Sequence, residues 1–119
     1  MILRGGTVVP GTGERDATAI AWAQDTVLIV GSDEEVTGIS RGDSTFHELD
    51  GSVVVPLDAA DRPDAAGGVL EIGGAADLAV LDADPRVVGS AHVIALVRRG
   101  RVVEGALPSG NRFERMVGR

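Results

Sequence analysis

Apolar residues in this chain come in short runs, Val27–Val30, Val53–Val55, Leu78–Leu81 and Val93–Val97 among them, closed off by Gly, Asp or Ser. Short apolar runs between turn-forming residues are the pattern of an all-β domain. Ile2–Val9 reads as a first strand, with Gly5-Gly6 permitting a bulge or a close backbone approach. Thr18–Ala23 and Val27–Val30 read as a hairpin around Gln24-Asp25-Thr26, although that turn lacks the glycine favoured in tight hairpins. Thr45–Leu49 and Val53–Val55 add two strands around Asp50-Gly51. Leu78–Leu81 is wholly apolar and is expected to be covered on both faces.

The clearest hairpin joins Val93–Arg98 to Arg101–Glu104 through Arg99-Gly100, where glycine accepts a positive φ without penalty. Strand alternation puts Val93, Ala95 and Val97 on one face and Ile94, Leu96 and Arg98 on the other. One short helix is expected near 32–38, because Ser32-Asp33-Glu34-Glu35 matches a capping box with Ser32 as N-cap and Glu35 reaching back. Asp58–Gly68 is rich in Ala, Asp and Gly, lacks apolar periodicity, and reads as a loop or linker.

The 119 residues fit a single domain, and 44% hydrophobic residues supply its core. Aromatic residues are only 3%, namely Trp22, Phe46 and Phe113, so the core must be built of Val, Leu, Ile and Ala. There is no cysteine, which removes disulfides, thiolate metal sites and a cysteine nucleophile, and suits a reducing cytoplasm. The start, Met1-Ile-Leu-Arg-Gly-Gly, lacks the apolar run of a signal peptide. No stretch approaches the ~20 apolar residues of a membrane span. A cytoplasmic protein with no membrane association is the expectation.

Charge is unevenly placed. All eleven basic residues are Arg; residues 1–97 hold five of them against sixteen acids, and residues 98–119 hold six against two. The net −7 opposes nucleic-acid binding, which requires clustered positive charge. The basic end is expected to be a solvated tail, or to meet an acidic surface on a partner or on the chain's own body. Abundant Ala, Gly, Val and Arg without Lys suggests a GC-rich, bacterial genome.

Residues 68–85, GVLEIGGAADLAVLDADP, resemble the segment that follows the catalytic barrel in amidohydrolases, the metal-dependent hydrolases of cyclic and acyclic amides. Residues 1–56 resemble the part that precedes the barrel. Gly6-Thr7-Val8-Val9 looks like the opening strand, and Val27–Ser32 like the strand, glycine and helix start that close the first hairpin. Leu49-Asp50-Gly51 with Val53-Val54-Val55-Pro56 is similar to the strand that leads into the barrel. Gly73, Ala76-Asp77-Leu78, Asp82 and Asp84-Pro85 match the return segment, and Val97, Gly100 and Arg101-Val102-Val103 the final hairpin.

The resemblance implies a small β-sandwich, the composite domain formed by the two flanks of the barrel, with about seven to nine short strands and one helix. The implied plan is 1–56 as the N-terminal part, 57–68 as the loop at the site of the missing barrel, 69–105 as the C-terminal part, and 106–119 as a tail. A barrel of roughly 250 residues does not fit in this length.

The family's catalytic groups have no counterparts here. After Pro56 the enzymes continue into a His-x-His pair, whereas this chain reads Leu57-Asp58-Ala59-Ala60. The bridging lysine of binuclear members has no equivalent in a chain without Lys, and the later barrel strands that carry the remaining ligands are absent. Zinc or a similar divalent metal therefore belongs to the barrel-containing relatives, and no cofactor is expected in this chain.

The remaining candidates favour structural roles. His47 and His92 are an isolated pair without the convergent set a metal needs, so surface or half-buried positions are expected for both. Asp77, Asp82 and Asp84 lack calcium-loop spacing; Asp77 is expected to start a strand through side-chain-to-backbone bonding, and Asp84-Pro85 to form a turn. Gly67-Gly68 and Gly73-Gly74 are not followed by the Lys and Ser/Thr of a phosphate loop. Ser52, Ser90 and Ser109 lack a nucleophile-elbow context. Arg98, Arg99 and Arg101 form a weak anion-patch signal, because alternation sends Arg98 to one side and a turn holds Arg99.

No catalytic, cofactor-binding or metal-binding residue is therefore assigned. The expected function is a non-catalytic structural, binding or assembly module that forms a homo-oligomer, most simply a dimer, or docks on a separate partner protein. The alternative is a truncated or degenerate part of a hydrolase of non-peptide carbon–nitrogen bonds, active only when a barrel is supplied.

Overall fold

The computed structural model describes residues 1–11, 15–39, 45–65 and 67–108. Ser109 and the arginines of the tail lie outside the described residues, as do residues 40–44. The described strands are β1 (Ile2–Arg4), β2 (Thr7–Val8), β3 (Ala19–Ala23), β4 (Thr26–Gly31), β5 (Phe46–Glu48), β6 (Val53–Pro56), β7 (Leu78–Leu81), β8 (Val93–Arg98) and β9 (Arg101–Gly105). One helix, α1 (Asp33–Gly38), lies between β4 and β5. The strands form two sheets, ordered β4-β3-β1-β5 and β2-β6-β7-β8-β9. The all-β reading holds, with nine short strands and one helix among the described residues.

Ile2–Val9 is not one strand. It breaks at Gly5-Gly6 into β1, which pairs with β3 and β5, and β2, which pairs with β6 in the other sheet. Gly5 takes φ +77°, and a Cβ at Gly6 would stand 2.5 Å from the Ser52 carbonyl oxygen. The two glycines therefore let one stretch of chain turn the corner between sheets, Gly5 by its positive φ and Gly6 by a close backbone approach.

Pleating sorts the apolar residues into an inner layer and two outer layers. Leu3, Ile20, Trp22 and Val27 of the first sheet meet Val8, Val54, Leu78, Val80, Ala95 and Val97 of the second in one buried cluster. Residues from both ends of the chain thus share a core. The alternate residues Val53, Val55, Ala79 and Leu81 face outward, where Val9, Leu57, Ala65 and Ala91 cover them. This is why β7 is buried along its whole length.

On the outer side of the first sheet, Ile2, Ala19 and Ala21 pack under Val36 of α1. Full burial of one Val is worth about 1.5–3 kcal/mol, enough to hold a helix too short to stand alone. The capping box is complete: the Glu35 amide donates to Ser32 Oγ at 3.1 Å, and the Ser32 amide to Glu35 Oε1 at 2.9 Å.

The segment after β6 closes on itself. Asp58 Oδ1 accepts from the amides of Ala60 at 2.8 Å and Arg62 at 2.9 Å, and the Asp64 amide donates to the Pro56 carbonyl at 2.7 Å. Leu57 and Leu70 are buried, while Val69 and Ile72 stand exposed at 40% and 70%. β6 and β7 therefore pair directly, Val53 to Leu81 through Pro56 to Leu78, with this connection folded over their outer face.

Candidate functional site: a cleft at the tip of the C-terminal hairpin

The turn between β8 and β9 has both central residues in the left-handed region, Arg99 at φ +50° and Gly100 at φ +79°. This is the geometry whose twist matches two antiparallel strands. Asp77 holds the turn from outside: its Oδ1 accepts the Arg99 amide at 2.7 Å, and the Gly100 amide donates to the Ala76 carbonyl at 3.0 Å. Asp77, directly before β7, thus makes the side-chain-to-backbone bond expected of it, and the backbone it holds is that of the β8–β9 turn.

On the other side, the buried Trp22 indole donates from Nε1 to the Gly100 carbonyl at 3.0 Å. The β3–β4 turn abuts the same glycine, since a Cβ there would lie 1.6 Å from the Gln24 carbonyl oxygen. That turn holds two residues, Gln24 and Asp25, not three, because Gln24 itself takes φ +56° and supplies the conformation glycine would normally give.

Between the two turns and the 57–68 connection lies an open cleft of about 1020 Å³. Arg98, Arg99 and Arg101 all line it, together with Asp25, Asp61 and Val103. Alternation was expected to separate these arginines. The tight turn instead folds Arg99 back beside its neighbours, and Arg98 and Arg101 are direct cross-strand partners. Arg98 is neutralised by an ion pair with Asp61 and by Asp77 Oδ1 at 3.4 Å from its Nε. Arg99 and Arg101 are exposed, and neither forms an ion pair among the described residues. Nothing in the spacing of the sequence announced that Asp61, Trp22 and Gln24 would meet this hairpin.

The other candidates do not line this cleft. His47 is half-buried on β5, with its Nδ1 2.8 Å from the Pro108 carbonyl, so Nδ1 is the nitrogen that donates. The His92 side chain is 84% exposed; its amide donates to Asp82 Oδ1 at 2.7 Å, and its ring lies 3.4 Å from the same carboxylate. His47 lies in the first sheet, whereas His92 directly precedes β8 of the second. Asp84 begins a turn, accepting the Arg86 amide at 2.9 Å, and the Arg86 guanidinium also clamps Asp16 at 2.7 Å. Hydrogen bonding from that guanidinium holds the Asp84 carboxyl below the ordinary range, and the Arg62 amide does the same for Asp58.

Gly73 and Gly74 exchange backbone bonds with Val27 on the edge of β4, and Gly68 packs against Pro56. Ser52 is half-buried where β6 begins, and Ser90 is exposed in the loop before β8. Among the described residues, no group of three or more histidines and carboxylates is placed to hold a metal ion. Nor is any helix among them long and apolar enough to cross a membrane. Compared with known proteins, the chain matches no family model, no curated protein and no solved structure.

Proposed function

We propose that this chain is a barrel-less relative of the amidohydrolases, acting as a non-catalytic binding or assembly module. The observation that supports this reading is the closed connection at residues 57–68. At the place where those enzymes carry the barrel, Asp58 and Asp64 tie the chain into turns, and Leu57 is buried on the sheet. The candidate carboxylates Asp77, Asp82 and Asp84 are each engaged in holding a turn or loop.

β9 is an edge strand exposed along all its residues, with Val102 and Val103 at 41% and 60%. Edge strands with apolar side chains invite pairing, and a second copy of the chain is the simplest partner. Sedimentation velocity over a wide concentration range tests this: a concentration-dependent dimer is expected, and a monomer at the highest concentration contradicts self-assembly. Assay of the zinc-supplemented chain against cyclic and acyclic amides tests the rest of the reading. No turnover is expected, and turnover removed by a chelator contradicts the non-catalytic assignment.

A further inference from the structure

The chain carries a formal charge of −7, yet the tip of the β8–β9 hairpin concentrates three guanidiniums within four residues. Arg98 and Arg101 face each other across the strands, and like charges in that relation repel. The fold answers this for Arg98 alone, through Asp61 and Asp77. Arg4, Arg62 and Arg86 are likewise matched to carboxylates, by Glu48, by Asp58, and by Asp16 with Asp84. Arg99 and Arg101 remain uncompensated among the described residues, on the rim of a cleft of about 1020 Å³. Its volume is at the upper end of small-molecule sites.

The geometry points to this cleft as a binding site for a small anionic ligand, with a carboxylate or phosphate held between the side chains of Arg99 and Arg101. Guanidiniums are suited to this because their planar forks match both groups with paired hydrogen bonds. The turn that presents them is rigid. Its backbone is fixed by Asp77, Ala76, Trp22 and Gln24, so the two side chains project from a preformed base. Val103, 60% exposed, provides an apolar wall for the rest of the ligand. Asp25, on the opposite turn, sets the polarity of the cleft: it repels a second anionic group and directs the charged end toward the arginines.

This inference does not depend on the proposed assembly role. It is tested on the full ¹⁵N-labelled chain by NMR titration at constant ionic strength with inorganic phosphate, acetate and hexanoate, using chloride as control. Saturable shifts are expected at the amides of Arg99, Gly100 and Gln24, absent with chloride. Hexanoate binding tighter than acetate assigns a carboxylate with an apolar tail; tighter phosphate binding assigns a phosphate ester. The double variant Arg99→Gln/Arg101→Gln should weaken binding by about tenfold or more, while Arg62→Gln, outside the cleft, leaves it unchanged. Both arginines are exposed, so the variant keeps the fold, which its amide spectrum verifies. Unchanged affinity in the double variant, or no saturable shift up to about 10 mM of any anion, overturns the proposal.

Discussion

At the scale of single residues, Gly100 carries the most structural consequence for its size. Its φ of +79° and its contact with the Gln24 carbonyl leave no room for a side chain. Gly100→Ala is therefore expected to cost about 1–3 kcal/mol from backbone strain alone, measured by urea unfolding, and to push the two turns apart. A second residue-scale prediction concerns Asp77, whose carboxylate receives the Arg99 amide and faces Arg98. Asp77→Ala should destabilise the hairpin, while Asp77→Asn, which retains an acceptor oxygen, should recover most of the loss; equal losses would contradict the capping role. The Arg99-Gly100 turn was legible in the sequence because glycine after a strand has a local meaning. Its supports were not. The bond from Trp22 and the charge of Asp61 arrive from remote parts of the chain, and no local pattern encodes them.

At the scale of elements, α1 was the most legible. Ser32 and Glu35 announce a helix start by spacing alone, and both reciprocal bonds form. Ser32→Ala should cost about 0.5–2 kcal/mol, typical of a lost N-cap, observed as a lower unfolding midpoint. The Ser32 amide holds the Glu35 carboxyl below its ordinary range; Asp84 is lowered by Arg86 and Asp58 by the Arg62 amide. A carboxyl with a lower pKa in the folded state adds stability in full above its unfolded value. That contribution fades as pH falls through the folded value. Melting temperature should hold on acidification to the ordinary carboxylate range, about pH 4, and decline below it. A melting temperature that rises below that range would contradict these contacts. The first strand shows where pattern reading stops. Apolar residues on both sides of Gly5-Gly6 look like one strand; the glycines permit the break, and the pairing of β1 and β2 with different sheets makes it.

At the scale of the whole molecule, what matters is that both ends of the chain build one core. Leu3, Ile20 and Trp22 come from the first part and Leu78, Val80 and Val97 from the last, packed in the same cluster. Leu78→Ala, at a fully buried position, is expected to cost about 2–5 kcal/mol and to loosen both sheets together. The all-β character was readable from the short apolar runs of β6, β7 and β8, and the burial of β7 on both faces from its wholly apolar residues; the two-layer plan was expected only from the resemblance. The cleft was not readable, because it is made by three connections that meet only after the sheets have packed. The central claim is that the sandwich is complete across residues 57–68 and needs no further domain to hold its halves together. Urea unfolding followed at once by Trp22 fluorescence and by hydrogen exchange at the β7 and β8 amides tests it most directly. Coincident transitions are predicted, as for a single cooperative unit; separate transitions for the two parts of the chain would contradict the account.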